Sequence, residues 1–236
     1  MFFFCKPKTI VLDAFTCDRG AILVPPAPAN KFRPRWWREL DPLVDQKSSN
    51  GVDYKQGTLR KCQGFKDYYS SSNIVLPFWT SVIFESGAND YRYVDSREEG
   101  IQNIVFQEEM FRGNYLNNYT HFKMISPWLF KENSGIDFLF SQAFYNFTDP
   151  AEFLIPPGTV NYKHQHSTHI HFFSKKRGDD GMNRIELSTG QPLIHITPMT
   201  EKRVIVKPHL VSEDEYKNLK TPSLFFNNIY KRMRNV

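Results

Sequence analysis

The sequence predicts a mainly β protein, built as an antiparallel β-sandwich or a double-stranded β-helix, with a proline-rich N-terminal arm and short C-terminal helices. Fifteen prolines punctuate the 236 residues. Proline removes a backbone donor and fixes φ, so long helices cannot run through most of the chain. Between the prolines lie short runs rich in β-branched and aromatic residues: Ile74-Val75-Leu76, Val82-Ile83-Phe84, Ile104-Val105-Phe106, Phe138-Leu139-Phe140, Ile194-His195-Ile196 and Val204-Ile205-Val206. Short strands at frequent intervals with Gly and Pro turns are the pattern of a sandwich or barrel. Aromatic residues make up 15% of the chain and charged residues 23%, a balance that excludes both a disordered chain and a coiled coil. No apolar run approaches the ~18 residues of a membrane-spanning helix.

In chain order, residues 1–57 read as an entry strand, a proline-rich arm and a short helix over Pro34–Leu40, where proline suits a first helical position. Residues 58–210 read as the β body, interrupted by a helical turn over Gly64–Tyr69. Residues 211–236 read as a helical tail. Ser212-Glu213-Asp214-Glu215 has the spacing of a capping box, and that helix is expected to close before Pro222. A second helix is expected from about Ser223 to Arg234, with Leu224, Phe225, Ile229 and Met233 near one face. No Ser/Gly linker divides these parts, so the chain reads as one domain with extensions. Trp36, Trp37, Trp79 and Trp128 each lie near a proline, as anchors where loops fold onto a sheet.

The formal charge is +5, with much of the excess in Lys217, Lys220, Lys231, Arg232 and Arg234. A nucleic-acid binder would show a denser basic stripe or aromatics interleaved with Arg and Lys, so the charge reads as a solvated basic end. Cys5, Cys17 and Cys62 are odd in number and lack metal-like spacing, which points to reduced thiols. Cys62 has no neighbouring motif that names a base. The opening Met1-Phe-Phe-Phe-Cys5-Lys6 is apolar first and basic second, the reverse of a secretory signal. No complete catalytic motif is present.

Four of the seven histidines fall within eight residues: His164, His166, His169 and His171. Read as one strand from Val160 to Phe172, the period of two places Val160, Tyr162, His164, His166, Thr168, Ile170 and Phe172 on one face. That face carries the apolar residues and is the expected inward one. His164 and His166 would then point into a barrel, where two imidazoles can hold Fe, Mn, Zn or Ni. His171 would point outward unless a bulge reverses the parity. His195, on another strand, is a further candidate ligand. In an alternative geometry Ser167-Thr168 is a two-residue hairpin loop, and all four histidines share a face; Ser-Thr is poor chemistry for such a loop. A plain reading, polar histidines paired to neighbouring strands, stands beside both. No cofactor is expected on that reading; Fe(II), Mn or another divalent metal is the alternative.

Two resemblances add to these readings. Pro156-Pro157-Gly158, five residues, then His164-Gln165-His166 resembles the first motif of the cupin superfamily, whose fold is a jelly-roll-like double-stranded β-helix. His171 stands where that family has a glutamate, and Gly178 at its later glycine. Gly190-Gln-Pro-Leu-Ile-His195 does not reproduce the usual second motif. The resemblance covers about 23 residues and implies a metal-dependent enzyme of the dioxygenase type using His164, His166 and His195.

The second resemblance runs across roughly 170 residues. Pro26-Ala-Pro-Ala, Pro34-Arg-Trp36-Trp37, Thr58-Leu-Arg-Lys-Cys62-Gln-Gly64-Phe65, Val75-Leu-Pro77-Phe-Trp79, Ile125-Ser-Pro127-Trp128-Leu129-Phe130, Phe153-Leu-Ile-Pro-Pro157-Gly158 and Gly190-Gln-Pro192-Leu193-Ile194 follow in order. This set resembles a β-rich family of tailed bacteriophages, mainly marine T4-like ones. In that family the segment after the Pro-Gly carries Asp and Thr, which makes His164 and His166 local to this chain. The resemblance implies a phage-encoded structural or accessory protein in the host cytoplasm or the virion. Such a protein acts through protein partners or self-assembly, without a membrane.

Overall fold

The computed structural model describes residues 9–87, 91–95, 104–106, 118–147, 152–177 and 181–225. Strand β1 (Ile10–Thr16) alternates buried and half-buried residues along its whole length, as a strand with one face on a core must. A short β2 (Ala27–Pro28), helix α1 (Arg35–Glu39), strands β3 (Leu43–Lys47) and β4 (Asp53–Gly57) and helix α2 (Gln63–Tyr68) follow. The body continues with β5 (Ile74–Pro77), β6 (Val82–Ser86), β7 (Tyr91–Asp95), β8 (Ile104–Phe106), β9 (Tyr119–Lys131) and β10 (Asp137–Gln142). It closes with β11 (Phe153–Leu154), β12 (Gly158–Asn161), β13 (Ser167–Lys175), β14 (Asn183–Leu187), β15 (Pro192–Pro198), β16 (Val204–Leu210) and helix α3 (Glu213–Phe225).

Two sheets face each other. The first has the order β11-β13-β9-β1-β16, with β8 also paired to β9; the second has the order β12-β10-β15-β5-β2. Their inner faces meet in one buried cluster. Leu12, Phe122, Met124, Trp128, Phe130, Ile170, Phe172 and Val204 come from the first sheet, and Ile74, Leu76, Phe138, Val160, Ile194 and Ile196 from the second. A third sheet, β14-β6-β7, joins the same cluster through Val82, Phe84, Ile185 and Leu187, with the Phe84 ring stacked 4.6 Å from Phe172. The mainly β, sandwich-like fold expected from the sequence is thus present. One departure is that β1 and β16 pair in parallel, from Ile10↔Val204 to Thr16↔Leu210, inside an otherwise antiparallel sheet.

Strand β9 is the longest, and its even-numbered residues Phe122, Met124, Trp128 and Phe130 enter the core throughout. Its register against β13 slips between Ser167↔Leu129 and His169↔Ile125, so three residues of β9 oppose one of β13. Pro127 sits in that bulge, where a residue without an N–H costs the ladder nothing. The Trp128 indole N–H, fully buried, has no hydrogen-bond partner among the described residues. Gly158 lies opposite Phe140, whose ring covers the place a Cβ would take, at 2.4 Å.

The proline-rich arm packs on the body: Ala27 pairs with Val75, the Ala29 N–H donates to the Asn73 carbonyl at 2.8 Å, and Ala29 is fully buried. One sequence expectation is corrected. Helix α3 does not stop before Pro222 but continues to Phe225. Its start is as expected, with the Glu215 N–H donating to Ser212 Oγ at 3.2 Å. The end of the expected second helix, 226–234, lies outside the described residues, as do Cys5 and Gly178.

Candidate functional site

The expected continuous strand through the histidine cluster is two strands in different sheets. Strand β12 pairs with β10 in the second sheet and β13 with β9 in the first, so the chain crosses the sandwich between Asn161 and Ser167. Asn161 drives the break. Its Oδ1 accepts the Lys163 N–H at 3.2 Å, and its carbonyl accepts the N–H groups of His164 (3.1 Å) and Gln165 (3.0 Å). This is an Asx turn, a local alternative to the ladder. Tyr162 pins the corner from inside. It is fully buried, its hydroxyl 3.2 Å from Thr168 Oγ1 and its ring about 5 Å from those of Phe130 and Phe138. Ser167-Thr168 is strand, not a hairpin loop.

The predicted ligands therefore take separate positions. His164 lies half-buried on the turn. His166 is buried, and its Nδ1 donates to the Leu219 carbonyl of α3 at 3.0 Å, tying the crossing to the C-terminal helix. His171 lies on the outer face of the first sheet, the parity expected of it. Its Nδ1 is 2.9 Å from Nε2 of His121, a residue 50 positions earlier that stacks on Phe173 at 4.4 Å. In such a pair one ring donates and the other accepts, so the contact requires a neutral ring. Burial and the Lys123 ammonium hold the His171 pKa below its ordinary value. Burial, then Lys123, His171 and Lys220, pushes His169 down to about 4.

His195 is on the outer face of the second sheet, 1% exposed. Its Nε2–H donates to the Tyr68 carbonyl at 2.7 Å, and its Nδ1 accepts from the Thr197 hydroxyl at 3.2 Å. The Tyr68 ring stacks on the imidazole at 3.7 Å and 12°. Burial takes the His195 pKa down to about 4, against a smaller opposing effect of the Tyr68 carbonyl. The ring thus docks α2, which carries Phe65 and Tyr68, onto the sheet. Phe65, Trp37, Tyr69, Val75 and Ala29 form a second buried cluster there. Among the described residues no three His, Cys, Asp or Glu side chains are grouped as metal ligands.

Among the described residues the most exposed element is the β3–β4 hairpin. All ten of its strand residues are exposed, and its two strands form a sheet of their own. Leu43, Val44, Val52 and Tyr54 offer apolar surface to solvent. The base is clamped: the Thr58 N–H donates to the Pro42 carbonyl at 3.2 Å, the Trp37 indole N–H to the Leu59 carbonyl at 3.1 Å, and the Arg60 guanidinium to the Arg38 and Leu40 carbonyls. At the tip, Gly51 takes φ +78° and its N–H donates to the Ser48 carbonyl at 2.9 Å. The sequence reading missed this hairpin, although Asn50-Gly51 is the strongest short hairpin signal available. It also missed His121 and the aromatic surroundings of His195, for which no local signal exists.

No family model, curated protein or solved structure matches the chain.

Proposed function

We propose that this chain is a phage-encoded structural or accessory protein that acts through protein–protein contacts, as a component of a virion or of its assembly. The observation that supports this reading is the β3–β4 hairpin. An isolated two-stranded hairpin is marginal in water on its own. This one is fixed at its base by the contacts of Trp37 and Arg60, yet it buries none of its strand residues on the body. Its outer edges are open ladders, ready to pair with another chain. Two aspartates and two lysines in alternation (Asp45, Lys47, Asp53, Lys55) keep it neutral, so a neighbour meets no net repulsion. Nothing among the described residues favours the metal-dependent enzyme over this reading.

Sedimentation velocity over a range of concentrations tests its self-assembly form. The wild-type chain is expected above the 27.7 kDa of one copy. A Val44→Asp/Tyr54→Asp variant is expected at that mass. Single-copy mass for both chains at every concentration overturns self-assembly through the hairpin.

A further inference from the structure

The pairing inside the β3–β4 hairpin determines which backbone groups its free edges offer. Leu43 stands opposite Gly57 and Lys47 opposite Asp53, with the residues between them in step. The ladder is hydrogen-bonded at both ends: the Ser48 N–H donates to the Val52 carbonyl at 2.9 Å and the Thr58 N–H to the Pro42 carbonyl at 3.2 Å. Antiparallel pairs alternate between hydrogen-bonded and open, so Gln46↔Tyr54 and Val44↔Gln56 are the bonded pairs between those ends. The N–H and C=O groups of Asp53 and Lys55 therefore point away from β3. Strand β4 pairs with no other strand among the described residues, so these groups line an open edge.

The side chains add a charge pattern to that edge. Residues opposite each other in a ladder share a face, which puts Asp45, Lys47, Asp53 and Lys55 on one side and Val44, Gln46, Tyr54 and Gln56 on the other. On the charged side Asp45 stands opposite Lys55, and Lys47 Nζ lies 3.9 Å from Asp53 Oδ1. Each row across the hairpin thus sets one sign against the other. On the opposite side Tyr54 is 47% exposed.

We infer that β4 pairs antiparallel with β4 of a second copy of this chain, about a two-fold axis at Tyr54, with Asp53 of each copy opposite Lys55 of the other. The outward groups of Asp53 and Lys55 then bond each other across the axis, and the two Tyr54 rings meet in the closer, open pair, with Cα atoms about 4.5 Å apart. Charge selects this register. A slip of two residues sets Asp53 against Asp53 or Lys55 against Lys55, and like charges directly opposite are destabilising. A slip of one residue sets outward backbone groups against inward ones. In the selected register the charged rows run Asp45, Lys55, Asp53, Lys47 across the two copies, alternating in sign through all of them. The edge of β3 admits a similar pairing of Asp45 with Lys47, but it places Gln46 on the axis, where β4 has an aromatic pair. A second copy carries the matching alternation at the matching spacing, which a strand of another protein has no reason to do. The result is a closed pair and a four-stranded sheet in place of a hairpin that is marginal alone.

This inference rests on the hairpin as the contact element, and charge exchange separates the two. Full chains are compared by sedimentation velocity over a range of concentrations. The wild type is expected to reach the mass of two copies. Asp53→Lys sets lysines against lysines and Lys55→Asp sets aspartates against aspartates, so each alone is expected to weaken the pair about tenfold or more. An equal mixture of the two variants is expected to regain the two-copy mass, because every lysine of one chain then faces an aspartate of the other. The double variant Asp53→Lys/Lys55→Asp is expected to regain it within one chain, and recovery in either case also shows that the variants fold. Two-copy mass retained in both single variants, or recovery neither in the mixture nor in the double variant, overturns this pairing while leaving assembly through the hairpin to the Val44→Asp/Tyr54→Asp comparison. A wild type of single-copy mass at every concentration overturns both.

Discussion

Acid should destabilise this protein through His195, and the structure gives the sign of the effect and its order of magnitude. The imidazole is 1% exposed and neutral, donating through Nε2 to Tyr68 and accepting at Nδ1 from Thr197. Protonation would place a charge in that setting and turn the Nδ1 acceptor into a donor facing a hydroxyl. Its pKa accordingly falls from 6.5 to about 4 in the folded chain. Between those values the unfolded state binds more protons than the folded one, so stability rises with pH and is lost as pH falls from about 6.5 toward 4. At 1.36 kcal/mol per unit, the loss from His195 is about 2 kcal/mol between pH 7 and pH 5 and about 3 kcal/mol by pH 4. His169 and His171, also shifted down, act in the same direction. Their contributions, and those of the carboxylates, cancel when wild type is compared with His195→Gln, which keeps an N–H donor and cannot titrate. Urea denaturation at half-unit steps from pH 7 to pH 4.5 gives both curves. The wild-type curve is expected to fall more steeply, by about 1 kcal/mol per pH unit near pH 5. Parallel curves would refute a buried, neutral His195.

Two further outcomes follow from single contacts. In Gly158→Ala the new methyl would lie 2.4 Å from Phe140 Cζ and 2.6 Å from Cε1, so the ring must leave its place. A loss of about 1–3 kcal/mol is expected in urea titration, and Phe140→Ala in the same chain is expected to recover part of it; simple additivity of the two would show that the ring does not fill that space. In Ser212→Ala the cap on the Glu215 N–H is lost. The first-turn amides of α3 are expected to exchange about fivefold faster, matching about 1 kcal/mol, while the amides of β9 keep their rates.

What was legible in the sequence was the part with a buried face. The apolar runs at Ile74, Val82, Ile104, Phe138, Ile194 and Val204 are all strands, because short β-branched and aromatic runs bounded by turn residues can be read without coordinates. The hairpin was not legible by that route. Leu43–Lys47 and Asp53–Gly57 are exposed on both faces, so no face selects apolar residues and no period arises. Only its turn carries a mark. The parallel pairing of β1 with β16 joins residues nearly 200 positions apart, and nothing local to either strand specifies that partner. The run of α3 through Pro222 has the same character: a proline removes one backbone donor but does not forbid a helix whose neighbouring turns are otherwise satisfied.

The histidine pattern shows where the period of two stops being informative. Parity places side chains on a common face only along one unbroken strand, and Asn161 breaks this one by holding the backbone of residues 163–165 in a turn. Beyond the break, parity worked: Ile170 and Phe172 face the core and His171 faces out. Across it, parity had no meaning, and His166 was carried to the α3 side of the molecule while His195 stayed on the outer face of the other sheet. The partner that His171 does meet, His121, is reached diagonally across a ladder, a relation set by strand register and not by spacing in the chain. For His195 the decisive fact is the occupation of its two nitrogens. A neutral imidazole has one N–H and one lone pair; here the first is given to Tyr68 and the second to Thr197. That ring holds a helix to a sheet, and only by releasing one of those contacts would it have an electron pair to offer a metal.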